Sequence, residues 1–207
     1  MIDLYTFATP NGRKVSIALE EFEEPYKVIP VNIAADEQFA PNFLAISPNN
    51  KIPAIVDGER SLMESGAILQ YLATKHARFW GDDRWVTIEW LMMQMGSVGP
   101  MLGQVHHFVR YNPGKAPYAE ERYSAEARRI YGVLDRRLAD APYLAGSYGI
   151  ADMAVWPWIS RFEWQNMTFK DFPNLLRWYL EIAARPAVQR GYDVPQLGLE
   201  IPIPSSE

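Results

Sequence analysis

Two short segments hold the residues best suited to chemistry. Asn49-Asn50-Lys51-Ile52-Pro53-Ala54-Ile55 is followed closely by Leu62-Met63-Glu64-Ser65-Gly66-Ala67-Ile68. The first reads as an extended run entering a strand through an Ile-Pro bond. The second reads as a strand running into a helix at Glu64-Ser65. At an X-Pro bond the cis peptide lies only about 0.5–1 kcal/mol above trans. A chain bent there turns out the N–H and C=O of Ile52, which pair with an extended peptide as another strand would. A helix beginning at Ser65 offers N–H groups and a positive dipole end, which suit a carboxylate. Each feature alone is ordinary. Together, in this order, they describe a site for a short acidic peptide.

The bulk composition narrows the chemistry. The chain has 207 residues, 48% of them hydrophobic, enough to form a core in one or two domains. Its net charge is −5. No basic excess exists to neutralise phosphates, so nucleic acid is not an expected partner. An anionic ligand needs only local positive charge and stays open. No apolar run reaches the roughly 20 residues of a membrane span. The start, Met1-Ile2-Asp3-Leu4-Tyr5, has no signal-peptide pattern, and the cytoplasm is the expected compartment. There are 0 cysteines. That excludes disulfide frameworks, thiolate metal sites and any protein-thiol mechanism. Sulfur chemistry, if present, runs on the ligand.

The elements that must position the two segments follow from periodicity. Ile2–Phe7 predicts a strand, and Ala8-Thr9-Pro10-Asn11-Gly12 a turn. Val15, Ala18, Leu19 and Phe22 recur at helical spacing, which predicts a helix over about 11–23. Tyr26–Val31 is the next strand, then a polar loop with Gln38 and a helical patch near Phe43. Residues 54–57 and 61–63 form a hairpin over Gly58-Glu59-Arg60, and 65–76 a second long helix. The order β-α-β-α-β-β-α is thioredoxin-like and gives an α/β domain over 1–76. A linker spans 77–83, and an all-α domain spans 84–207. There a long helix is expected over about 84–111, with Gly96, Gly99, Pro100 and Gly103 bending or breaking it. Further helices are expected over 118–140, 150–159 and 174–185, then a Pro-rich irregular tail from Pro195.

The Ile52-Pro53 and Glu64-Ser65 pairing resembles the glutathione site of the glutathione transferase superfamily. The second domain adds Asp152 in Gly149-Ile150-Ala151-Asp152, where superfamily members usually carry a Ser or Thr cap three residues before the Asp. Here Gly149 takes the cap position, at a cost of only a few tenths of a kcal/mol. Tyr148 and Met153 are placed to form a hydrophobic staple. The stretch Thr9-Pro10-Asn11-Gly12 joined to Ile46–Asp57 resembles one branch, the bacterial nu class of glutathione-dependent disulfide-bond oxidoreductases. Gly99–Gln104 with His106-His107-Phe108, Tyr118–Tyr123 and Asp152–Trp158 carry the same resemblance.

The resemblance implies a soluble glutathione transferase fold, a homodimer, and two glutathione units or one glutathione disulfide per site. It places Thr9 and Asn11 beside the sulfurs as the catalytic pair. A hydroxyl or amide donor at a helix N-terminus favours a thiolate there. The alternative, that both merely cap the helix, is compatible with this role. The resemblance also places Gln38 on the peptide, the Ile52 backbone on the cysteinyl unit, and Arg122 near the bound peptide as positive charge. Glu64 takes the γ-glutamyl ammonium and Ser65 its carboxylate. Tyr5 lies inside the strand and reads as a packed side chain. Lys51 is either a neighbour of the glycyl carboxylate or solvated. Arg122 has a plain alternative as a surface ion pair. His106 and His107 point to different sides of a helix with no third ligand nearby, so no metal is expected. The expected reaction is disulfide reduction by bound glutathione. The rivals are conjugation or hydroperoxide reduction by the same thiolate, and a non-catalytic binding module on this fold.

Overall fold

Strict alternation in Ile2–Thr6 builds the first strand, β1. Ile2, Leu4 and Thr6 are fully buried, while Asp3 and Tyr5 face the other side. The structure, a computed structural model, describes residues 1–195 and 198–204. β1 pairs in parallel with β2 (Tyr26–Pro30) across the helix α1 (Pro10–Phe22), with Leu4 opposite Val28. On its other edge it pairs antiparallel with β3 (Ala54–Asp57), and β3 with β4 (Arg60–Met63). The sheet order is β2-β1-β3-β4, the thioredoxin-like arrangement. The β3–β4 turn is tighter than expected. Arg60 pairs with Asp57, leaving Gly58 and Glu59 as the loop, and Gly58 takes φ 61°, which its missing Cβ permits.

α2 (Pro41–Leu44) brings Phe43 onto the face that also carries Val31 and Ala54, with Tyr5, Ile46 and Ile52 packed against them. α3 (Ser65–His76) and α1 contact each other and bury Val15, Leu19, Ile68 and Leu72. The spacing of Val15, Ala18, Leu19 and Phe22 suggests a one-sided helix. Instead α1 is buried on nearly every side, Arg13 and Lys14 included. The cause is α9 (Pro186–Tyr192), a helix absent from the sequence reading, which packs on α1. Gly191 permits the approach, since a Cβ there would lie 2.5 Å from the Ile17 Cα. Arg13 Nε donates to the Tyr192 carbonyl at 2.9 Å, its guanidinium 3.7 Å over the Tyr192 ring. Arg185 reaches both Glu21 oxygens at 2.6 and 2.7 Å. Packing therefore groups Ala184–Ile201 with Met1–Arg78, while Phe79–Ala183 falls in the second unit. The sequence division assigned everything past 84 to the helical domain. The irregular tail is seen at Pro195 and over 198–204; Gln196, Leu197 and residues 205–207 lie outside the described residues.

The second unit contains α4 (Arg84–Met93), α5 (Gly99–Val105), α6 (Pro117–Asp140), α7 (Ile150–Ile159) and α8 (Pro173–Ala183). The chain from Arg84 to Tyr111 is not broken. It stays helical and widens into π turns at Gln94–Val98, just ahead of Pro100, and at His106–Tyr111. Gly99 and Gly103 serve packing, because Cβ atoms there would meet the Gln94 amide at 2.8 Å and the Trp158 ring at 3.4 Å. α7 is the buried central helix. Asp152 in its first turn accepts from Gly149 N and Leu144 N at 3.0 Å and from Trp178 Nε1 at 2.8 Å. Burial pushes its carboxyl up to about 6 against these three donors.

Candidate active site

Thr9 and Asn11 sit where the first strand turns into α1. Thr9 is the N-cap, its Oγ1 accepting the Gly12 N–H at 3.1 Å. A hydroxyl oxygen that accepts still has its own hydrogen to donate. Pro10 at the first helical position has its φ already set for the helix. Gly12 lets the first turn press onto the strand end, since a Cβ there would lie 2.2 Å from the Phe7 carbonyl oxygen. Both Thr9 and Asn11 are half-buried.

The predicted segments meet at one cavity of about 260 Å³, lined by Asn11, Ser47, Lys51, Ile52, Pro53, Glu64 and Ser65. The Ile52–Pro53 bond is cis. The loop ahead of it is fixed by Ser47, whose Oγ donates to the Lys51 carbonyl at 2.8 Å and whose own carbonyl accepts from Asn50 N at 2.9 Å. Glu64 is exposed and holds φ 68°, ψ 113°, outside the comfortable regions for a side-chain-bearing residue. That geometry reverses the chain from β4 into α3 and puts Glu64 and Ser65 together on the cavity wall. Ser65 opens α3, where the first N–H groups of a helix have no intrahelical acceptor and the dipole is positive. The sequence reading missed Ser47 and Lys14 here. Lys14 is only 1% exposed, and its Nζ donates to Ser65 Oγ at 3.3 Å. Burial pulls its ammonium down to about 7 against the opposing pull of Glu64. No local signal marks Lys14: the helix carries Arg13, Ser16, Glu20 and Glu21 as well, and only tertiary packing buries it on nearly every side.

Other expected residues are not among those lining this cavity. Tyr5 packs against Phe43 with ring centroids 6.1 Å apart. Gln38 lies in the short turn Glu37–Phe39; its Nε2 reaches Asp36 at 3.5 Å, and its buried Oε1 has no hydrogen-bond partner among the described residues. Arg122 is exposed on α6 in the second unit, and its charge helps hold the Glu126 carboxyl below its usual range, after the larger effect of Arg129. His106 is buried, stacked on Trp158 at 5.6 Å and within 3.2 Å of the Gln165 amide, whereas His107 is exposed. Among the described residues no group of three or more His, Asp or Glu is arranged to hold a metal. A larger cavity of about 400 Å³ in the second unit, walled by Phe162, Met167, Phe169 and Leu176 among others, holds none of the residues expected to react.

The chain matches the family model described as Glutathione S-transferase, N-terminal domain, over residues 4–80, and its C-terminal counterpart over 117–181. It is 47% identical over 211 residues to the Disulfide-bond oxidoreductase YfcG of Escherichia coli (strain K12), covering 97% of this chain and 98% of that protein. The chain belongs to the glutathione S-transferase family. Among family members of known structure, a glutathione transferase from Pseudomonas putida superposes with a TM-score of 0.88 at 41% identity, covering 94% of this chain and 91% of that one. That crystal structure has one glutathione disulfide bound per subunit. A family member from Pseudomonas fluorescens pf-5, with two glutathione bound, superposes with a TM-score of 0.86 at 42% identity, covering 94% and 93%. No cysteine stands near the cavity in this protein, because its sequence has 0. No helix among the described residues is long and apolar enough to cross a membrane.

Proposed function

We propose that the protein is a glutathione-dependent disulfide reductase that works without a thiol of its own. The observation that carries this is the cavity itself. It joins the Ile52 backbone, an acidic side chain at Glu64 and a helix N-terminus at Ser65, beside the Asn11 amide, in a chain with 0 cysteines. A γ-glutamyl unit has an ammonium and a carboxylate on one carbon. Glu64 suits the first, and Ser65 with the start of α3 suits the second. The Ile52 backbone then pairs with the cysteinyl unit, which directs the sulfur toward Asn11 and Thr9 at the start of α1. Gln38 and Arg122 complete the peptide's surroundings in this reading. The relatives with glutathione disulfide or two glutathione bound support room for a pair of units.

The reaction balances on the ligands alone. A glutathione thiolate attacks one sulfur of the substrate disulfide and expels the other as a thiolate. A second glutathione thiolate attacks the mixed disulfide, giving glutathione disulfide and the second substrate thiol. Two electrons pass from two glutathiones to one disulfide. The protein stabilises the attacking thiolate through Thr9, Asn11 and the α1 dipole, and holds the sulfurs in line.

Turnover of hydroxyethyl disulfide with glutathione, compared with conjugation of a chlorinated aromatic electrophile, separates this reading from its rivals. The reductase reading expects the disulfide to be the better substrate. Dominant conjugation favours a conjugating transferase, and failure to bind immobilised glutathione favours a non-catalytic module.

A further inference from the structure

A buried lysine stands directly behind the cavity wall. Lys14 lies on α1, 1% exposed, with its ammonium 3.3 Å from Ser65 Oγ. Ser65 in turn lines the cavity. A lysine seldom stays so deeply buried, because its charge loses solvation there. A methionine has similar length and would fill the space without a charge.

We propose that Lys14 is a positioning residue for carboxylate recognition, set one hydroxyl behind the wall where the ligand's γ-glutamyl carboxylate docks. This rests on the assignment of that carboxylate to Ser65. Two effects follow from the geometry. An ammonium has only hydrogens to offer, so its bond to Ser65 uses an oxygen lone pair and directs the hydroxyl hydrogen away from Lys14. The ammonium also lies within two hydrogen-bond lengths of an anion held by Ser65, out of solvent, where ionic screening is weak. Glu64, on the same chain reversal, favours the charged form of Lys14, and a docked carboxylate adds to that. Anion and buried cation thus support each other through one serine.

The test is a two-by-two binding experiment on the full chain. Wild type and Lys14→Met are titrated with glutathione and with 4-aminobutyryl-cysteinylglycine, the same tripeptide lacking only the γ-glutamyl α-carboxylate. Wild type is expected to prefer glutathione. Lys14→Met is expected to weaken glutathione about tenfold, in line with one hydrogen bond to a charged group, and the analogue less than twofold. Equal weakening of both ligands overturns the proposal and makes Lys14 a structural residue. If wild type binds the two ligands alike, the carboxylate is not seated at Ser65, and the proposal falls with that assignment. Should Lys14→Met not fold, Lys14→Gln removes the charge while keeping a donor. Undiminished preference for glutathione in a folded Lys14→Gln also overturns the proposal.

Discussion

The Thr9 oxygen caps α1 through the Gly12 N–H, which leaves its hydroxyl hydrogen to donate; in the proposed site it donates to a ligand sulfur. Thr9, not Asn11, is the N-cap of α1, so truncating Asn11 leaves that cap in place. Removing a donor to a thiolate costs on the order of 1.5–3 kcal/mol. Asn11→Ala and Thr9→Ala should therefore lower disulfide turnover by tenfold or more. Tyr5→Phe should change it little, because Tyr5 packs on Phe43 outside the cavity wall. Steady-state assays of the three variants check this, with a melting curve on Thr9→Ala to separate the lost cap. A larger loss in Tyr5→Phe would return the catalytic role to the tyrosine. His106 gives a different residue-scale prediction. Burial, with Arg161's charge adding, pulls its imidazole down to about 4. The unfolded chain titrates near the ordinary value of about 6.5. Between those values the unfolded state binds a proton that the folded state refuses, so stability present above about 6.5 is lost as pH falls toward 4. Urea unfolding at pH 7 and pH 5 should differ by about 2 kcal/mol from this group. His106→Gln should remove that difference, and an unchanged pH slope would contradict the assignment.

At the scale of elements, Gly149 shows how far a sequence argument reaches. The order Gly149-Ile150-Ala151-Asp152 already indicates a capped helix, and Asp152 does accept the Gly149 N–H at 3.0 Å. It does not reveal why glycine replaces the better cap. The Phe79 carbonyl lies 2.6 Å from where a Cβ would stand, and it accepts the Ile150 N–H at 2.9 Å. Gly149→Ser should therefore destabilise the protein by about 1–3 kcal/mol, although serine is the stronger N-cap on its own. Chemical denaturation decides it; a stabilised variant would show that the backbone yields. The same distinction runs through the fold. β1, the β3–β4 hairpin, α3 and α6 were legible because alternation, turn residues and apolar stripes act locally. α9 was not, because its grip on α1 comes from Gly191, Arg13 and Arg185 acting across more than 160 positions of sequence. The π turns of the 84–111 segment were also hidden, since glycine and proline foretell a disturbance without its form. In the site, Ile52, Glu64 and Ser65 were readable from order alone. Lys14 and Ser47 became visible only once tertiary packing put them behind and beside that wall.

At the scale of the whole molecule, the chain reads as a glutathione S-transferase family member whose chemistry is carried by its ligand. A homodimer is proposed from that membership. Sedimentation at micromolar concentration should give twice the chain mass, and a monomer would refute it. The central claim concerns electron flow. Purified protein, glutathione and hydroxyethyl disulfide are coupled to glutathione reductase, and NADPH consumption is followed. The account predicts protein-dependent NADPH consumption, clearly faster than conjugation of a chlorinated aromatic electrophile under the same conditions. Conjugation with negligible disulfide turnover would contradict it.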